Sequence, residues 1–283
     1  MALRTDLALE QCQMIGVCDG IVSENINFGR IEIDRVSIKT ESAANKMGKP
    51  IGEYVTISFD KFTPEDKTGD LHSAIKTELL AMLPKSHNNL VLVAGLGNRE
   101  ITPDALGPKT ARKIFVSRHI SSELKEQIGL KGLKPVATII PDVLGNTGIE
   151  ASELIAATVE KTRPDAVIVI DALAARDISR LGSTVQLSNS GINPGAGVGN
   201  SRPEISKNTL GVPVIALGVP TVVDVSTFAE DLGGREYTNE SGVSMMVTPR
   251  DIDEMIVNAS HTLAHAINST LQPSIESEIL LSL

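Results

Sequence analysis

The sequence predicts an α/β fold: a mostly parallel sheet sandwiched by helices, with an antiparallel β element at the N-terminus. Three observations carry this. From about residue 66 onward, stretches of helical periodicity alternate with short, continuous apolar runs, the pattern of buried parallel strands covered by helices. Before that point apolar and polar residues alternate with period two, as in half-exposed antiparallel strands. The apolar residues, 41% of the chain, include no Trp, and aromatics are only 2%. The core must therefore be built from Val, Ile, Leu and Ala.

Taken in order, GRIEIDRVSIKT (29–40) and EYVTISFD (53–60) are the N-terminal strands, joined by a loop at NKMGKPIG (45–52). DLHSAIKTELLAML (70–83) has helical spacing, and NLVLVAGLG (89–97) is the first buried strand. ALGPKTARKIFVSRH (105–119) reads as helix, PVATIIPDV (135–143) as strand, and residues 150–161 as helix. DAVIVIDAL (165–173) is the clearest strand, and STVQLS (183–188) and PVIALGVPT (213–221) supply two more. The last helix begins after Pro249, with Thr248 as its N-cap. Residues 225–248, with Gly233 and Gly234, read as a mobile loop. One domain is expected over 1–283, with a β-rich part at 7–65 and an α/β core at 66–283.

Composition excludes several functions. A net charge of −9 and the lack of any basic run argue against a nucleic-acid surface, which needs clustered Lys and Arg. No stretch approaches the roughly 18 apolar residues a membrane helix requires, and the N-terminus does not resemble a signal peptide. Cys12 and Cys18 fit no zinc spacing and suit a reducing interior. A cytoplasmic location follows as the expectation.

Sites in open α/β sheets lie beyond the carboxyl ends of strands. GLGNREITPDALGP (95–108) turns off the first buried strand on Gly95 and Gly97 and places Asp104 at a helix start, where it is either an N-cap or a functional acid. In VIVIDALAAR (167–176), Asp171 follows four branched apolar residues, so its carboxylate needs a partner or a purpose. Arg176 and Arg180 are the partners at hand. SNSGINPGAGVGN (188–200) is a glycine-rich loop that gives shape rather than chemistry. Asp142 ends another strand and is a third carboxylate of unassigned role. There is no GxSxG elbow and no HExxH, and the five histidines read as surface or packed residues. Two converging carboxylates can activate water and protonate a leaving group, or share a metal. Residue chemistry alone reaches a hydrolase.

Longer motifs add to this. RTDLALE (4–10), GLGN with TPDALGP (95–108), LGNTGIE (144–150), IDALAAR (170–176), SGINPGAGVGN (190–200), TLGVPVIALGVPTVVD (209–224) and MVTPRDIDEMI (246–256) resemble the germination protease family of spore-forming bacteria. The resemblance implies an atypical aspartic endopeptidase that degrades small acid-soluble spore proteins in the forespore and spore core. It also implies a fold similar to the hydrogenase maturation peptidases, a self-cleaving zymogen and a homotetramer. By the same resemblance the catalytic acids are Asp104 and Asp171, with no cofactor and no metal, and self-cleavage falls between Asp6 and Leu7 and leaves 1–6 as a short propeptide. Asn98, Arg176, Gly195, Gly197 and Asn200 are the expected groove residues. The chain departs from the family in a shorter 225–248 segment, and in carrying Asn189 and Asn193 where relatives have an Asp and a His. The alternatives are a metal-dependent maturation peptidase of similar fold and a binding homologue without activity.

Overall fold

A computed structural model describes residues 5–16, 18–67, 69–85, 90–127, 130, 132–225, 227–229 and 245–275. Among these, a nine-stranded sheet runs in the order β1-β2-β3-β7-β8-β6-β4-β5, with β9 paired to β8. The strands are β1 (Ile21–Phe28), β2 (Ile31–Ile38), β3 (Gly52–Ser58), β4 (Val91–Gly95), β5 (Val136–Ile139), β6 (Ala166–Ala175), β7 (Thr184–Ser188), β8 (Val214–Asp224) and β9 (Met246–Val247). The parallel part is β8-β6-β4-β5. The N-terminal strands extend it in antiparallel pairing through β7.

Alternation explains why the central strands read as unbroken apolar runs. Val91, Val93, Ile168 and Ile170 face one buried cluster with the helices Asp70–Met82 and Ile252–Leu271. Leu92, Ala94, Val167 and Val169 face a second, with the helix Ala151–Thr162. Both faces are covered, so every position is apolar.

Several expectations are corrected. The helix expected over 105–119 is only Leu106–Ala111. Beyond it, Lys113 and Ile114 N–H make only turn bonds to Thr110 O and Ala111 O, and the Asn268 side chain accepts from Phe115 N–H at 2.8 Å and donates to Lys113 O at 2.9 Å, which ties the segment to the long helix. The strand expected over 135–143 is confined to Val136–Ile139. Residues 45–47 belong to a helix, Glu41–Met47, rather than to a loop. Strand β1 was not expected. Thr248 does not cap the last helix: Asp251 holds that position without a side-chain bond, and Thr248 donates to Thr221 O instead. Most of the loop expected at 225–248 lies outside the described residues.

Candidate active site

After β4 the chain moves to β5, on one side; after β6 it moves to β7 and β8, on the other. The carboxyl ends of β4 and β6 therefore flank the point where connections diverge, the place where α/β sheets open a crevice. A cavity of about 640 Å³ lies there, lined by Asp104, Asp142 and Asp171 together with Asn98, Gly195, Asn200 and Asp6.

Asp171 sits within β6 and is 6% exposed. One N–H, that of the following Ala172, meets its carboxylate at 2.9 Å. Burial pushes its pKa well above the ordinary value, and the charges of Asp104 and Asp6 push it further. The expected arginine partners turn elsewhere. Arg180 approaches Glu10 at 3.5 Å, and the backbone N–H of Arg176 also donates to Glu10. Neither Arg176 nor Gly197 is among the residues lining the cavity.

Asp104 is not a helix cap. It ends a short 3₁₀ turn, Thr102–Asp104, and the following helix has Ala105 at its N-cap with no side-chain bond. Thr102 does not cap it either, and donates to Asp253 at 2.9 Å. The Asp104 carboxylate instead accepts the N–H of Asn98 at 2.7 Å. This is possible because Gly97 turns the chain at a φ of +108°, with the Asp104 carbonyl packed where a Cβ would stand at 2.0 Å. Burial raises the Asp104 pKa, the Asn98 N–H opposes this, and the nearby Asp142 raises it again. Asp142 itself is held at a φ of +64° and accepts from Val143 N–H and Asn146 Nδ2. The structure thus brings Asp104, in the turn after β4, and Asp171, within β6, to one cavity, where the Asp104 charge opposes ionisation of Asp171.

The N-terminal segment reaches the same place. Asp6 donates its N–H to Ala174 O at 2.9 Å, and its carboxylate accepts from Ala174 N–H and Gly197 N–H, both at 2.9 Å. Leu7 is fully buried against Leu173, Ala175 and Val223. The Glu10 carboxylate anchors the segment by accepting from the Arg176 and Asp177 N–H groups at 2.9 Å each.

A family model described as germination protease matches residues 5–233. The chain belongs to the germination protease family. The germination protease of Clostridium perfringens (strain ATCC 13124) is 39% identical over 312 residues, covering 96% of each chain. That of Clostridium tetani is 38% identical over 98% of each. The germination protease of Geobacillus sp. (strain WCH70) is 40% identical, covering 81% of this chain and 66% of its own. Among solved structures, a NiFe hydrogenase maturation protease from Thermococcus kodakarensis is similar at 17% identity and a TM-score of 0.41, covering 69% of this chain and 98% of that one.

The span matching the germination protease family includes Asp6, Asn98, Asp104, Asp142 and Asp171. Sequence reasoning missed Lys49 and Gln186, which line a smaller cavity of about 90 Å³ beside Asp6. Both come from the antiparallel part of the sheet or its loops, and neither sits at the end of an all-apolar run. Cys12 and Cys18 are free thiols. His265 is buried and stacks on His72, with ring centroids 4.7 Å apart. No helix among the described residues is long and apolar enough to cross a membrane.

Proposed function

We propose that this chain is an endopeptidase that hydrolyses small acid-soluble spore proteins in the spore core during germination, with Asp104 and Asp171 as its catalytic pair. The observation that supports this most is the joint burial of two carboxylates, Asp104 in the turn that follows β4 and Asp171 within β6. Both are shifted toward the neutral form, and both open on one cavity. Neighbouring buried carboxylates do not ionise together readily, so the pair carries one proton over a broad pH range. The titration belongs to the pair, but the supports differ. Asp171 is the more desolvated and holds the proton, while Asp104 has the Asn98 N–H and holds the charge.

In this reading a water molecule gives a proton to the Asp104 carboxylate as its oxygen attacks the substrate carbonyl carbon. The tetrahedral intermediate then collapses, the C–N bond breaks, and Asp171 delivers its proton to the departing nitrogen. One new carboxyl and one new amine result. Asp104 ends protonated and Asp171 ionised, and a single proton exchange resets the pair. The same groups cut Asp6–Leu7 in the chain's own N-terminal segment, so the protein is made as a zymogen, and it assembles as a homotetramer. Support for the self-cut is that Asp6 lines the same cavity as the two acids.

The test mixes purified protein with a small acid-soluble spore protein and maps the fragments by mass. Cuts after acidic residues and a species beginning at Leu7 are expected. Asp104→Asn and Asp171→Asn, each verified as folded, should both lose cleavage. Full activity in either variant removes that residue from the mechanism, and no cleavage by the wild type favours a binding homologue.

A further inference from the structure

Strand β6 outruns β4. Their pairing ends at Ile170, where Leu96 N–H closes on Ile170 O at 2.8 Å, while β6 continues along β8 to Ala175. Asp6 occupies part of the edge left beyond β4. Its N–H bonds to Ala174 O, as an added strand would. The return bond is different. Ala174 N–H goes to the Asp6 carboxylate, on Oδ2, and Gly197 N–H takes Oδ1. Each carboxylate oxygen thus has its own main-chain donor.

Three further features shape this cradle. A Cβ at position 197 would stand 2.3 Å from Oδ2 and 2.6 Å from Cγ of Asp6, so the carboxylate reaches that N–H only because residue 197 is glycine. Lys49 lines the adjoining small cavity with Asp6. Burial pushes the Asp6 carboxyl up and the Lys49 ammonium down, while each charge opposes the loss of the other. Gln186 grips the main chain around the acid, donating to Asp6 O at 2.9 Å and accepting from Ala8 N–H at 2.7 Å. That grip sets the direction in which the side chain leaves. The next residue, Leu7, drops into an apolar site.

We propose that Ala174 N–H, Gly197 N–H and the Lys49 ammonium form the subsite that receives the acidic side chain of the residue preceding the cut bond, and that Asp6 fills it here as a substrate's acid does. The proposal rests on the endopeptidase reading above and adds the groups that recognise the substrate. The selectivity is chemical. A carboxylate satisfies both N–H donors and the cation, whereas a carboxamide turns an NH₂ toward one donor and leaves it unpaired. Sites that bury hydrogen-bonding groups reject ligands that cannot pair them.

Two readouts test it on the full-length chain. The first is cleavage of matched peptides carrying Glu or Gln before an apolar residue. The Glu peptide should be favoured in kcat/KM by about 10- to 100-fold, the scale of one unpaired buried group. Lys49→Met and Gly197→Ala should each shrink that ratio toward unity. The second readout needs no catalysis. In Asp6→Ala the cradle is vacated, and the Glu peptide, but not the Gln peptide, should shift the Ala174 and Gly197 amide resonances. Equal shifts with both peptides, or an unchanged Glu/Gln ratio in both variants, overturn the subsite while continued cleavage keeps the endopeptidase reading. Acid-selective shifts without cleavage of any peptide overturn the endopeptidase reading and leave the carboxylate cradle standing. Should Asp6→Ala fail to fold, the ratio in Lys49→Met decides.

Discussion

Asp104 and Asp171 carry the same side chain on unequal supports. Asp171 has one N–H and deep burial; Asp104 has the Asn98 N–H and a looser setting. For Asp171 the folded-state pKa lies above its ordinary 3.8, so the folded chain binds the extra proton. Stability contributed by the neutral form is full below pH 3.8 and is lost as pH rises through the folded value. Asp171→Asn removes that loss. The melting temperature of the variant relative to wild type should therefore climb as pH rises above 3.8, with no such trend if Asp171 titrates normally. Gly97→Ala acts on the other acid. A side chain at a φ of +108° that meets the Asp104 carbonyl at 2.0 Å should cost about 1–3 kcal/mol in denaturant unfolding and lower cleavage with it. Asp171 was legible in the sequence, because four branched apolar residues ahead of an acid announce a buried charge. Asp104 was not, because a cap and a functional acid share the same sequence signature, and only the structure, in which the carboxylate takes the Asn98 N–H, removes the cap.

At the scale of elements, strong periodicity was reliable and tertiary bonding was invisible. The β6 run, DAVIVIDAL, is a strand as expected because burial on both faces needs every position apolar. Strand β1 escaped notice because it is an edge paired with β2 alone, and most of its residues are exposed. Main-chain bonds hold it, and these leave no pattern in side chains. The shortened 106–111 helix has a similar cause in Asn268, whose two bonds to residues 113 and 115 replace helical ones. Asn268→Ala should destabilise the fold by about 2–3 kcal/mol, two net hydrogen bonds with a desolvation penalty, measurable by denaturant titration. On the same helix, Ser269 meets His72 Nε2 at 2.8 Å. Burial, His265 and Lys76 pull the His72 pKa down to about 4 from 6.5. The stability this confers is present above pH 6.5 and lost as pH falls toward about 4. A His72→Gln variant should lose less melting temperature than wild type over that interval.

For the molecule as a whole, strand order matters more than any one motif. With β6 between β4 and β8, two acids 67 positions apart (171 − 104) in the chain meet at one crevice. The N-terminal segment lies across the same edge of β6. Sequence reading placed both acids at strand ends but could not supply their convergence, which depends on which strands are neighbours. The central claim is that Asp104 and Asp171 behave as one proton-sharing unit. Carboxyl-selective NMR titration of wild type and Asp104→Asn tests it most directly. The account predicts that Asp171 titrates well above 3.8 in wild type, and that its midpoint falls when the Asp104 charge is removed. An Asp171 midpoint that is the same in both proteins would contradict it.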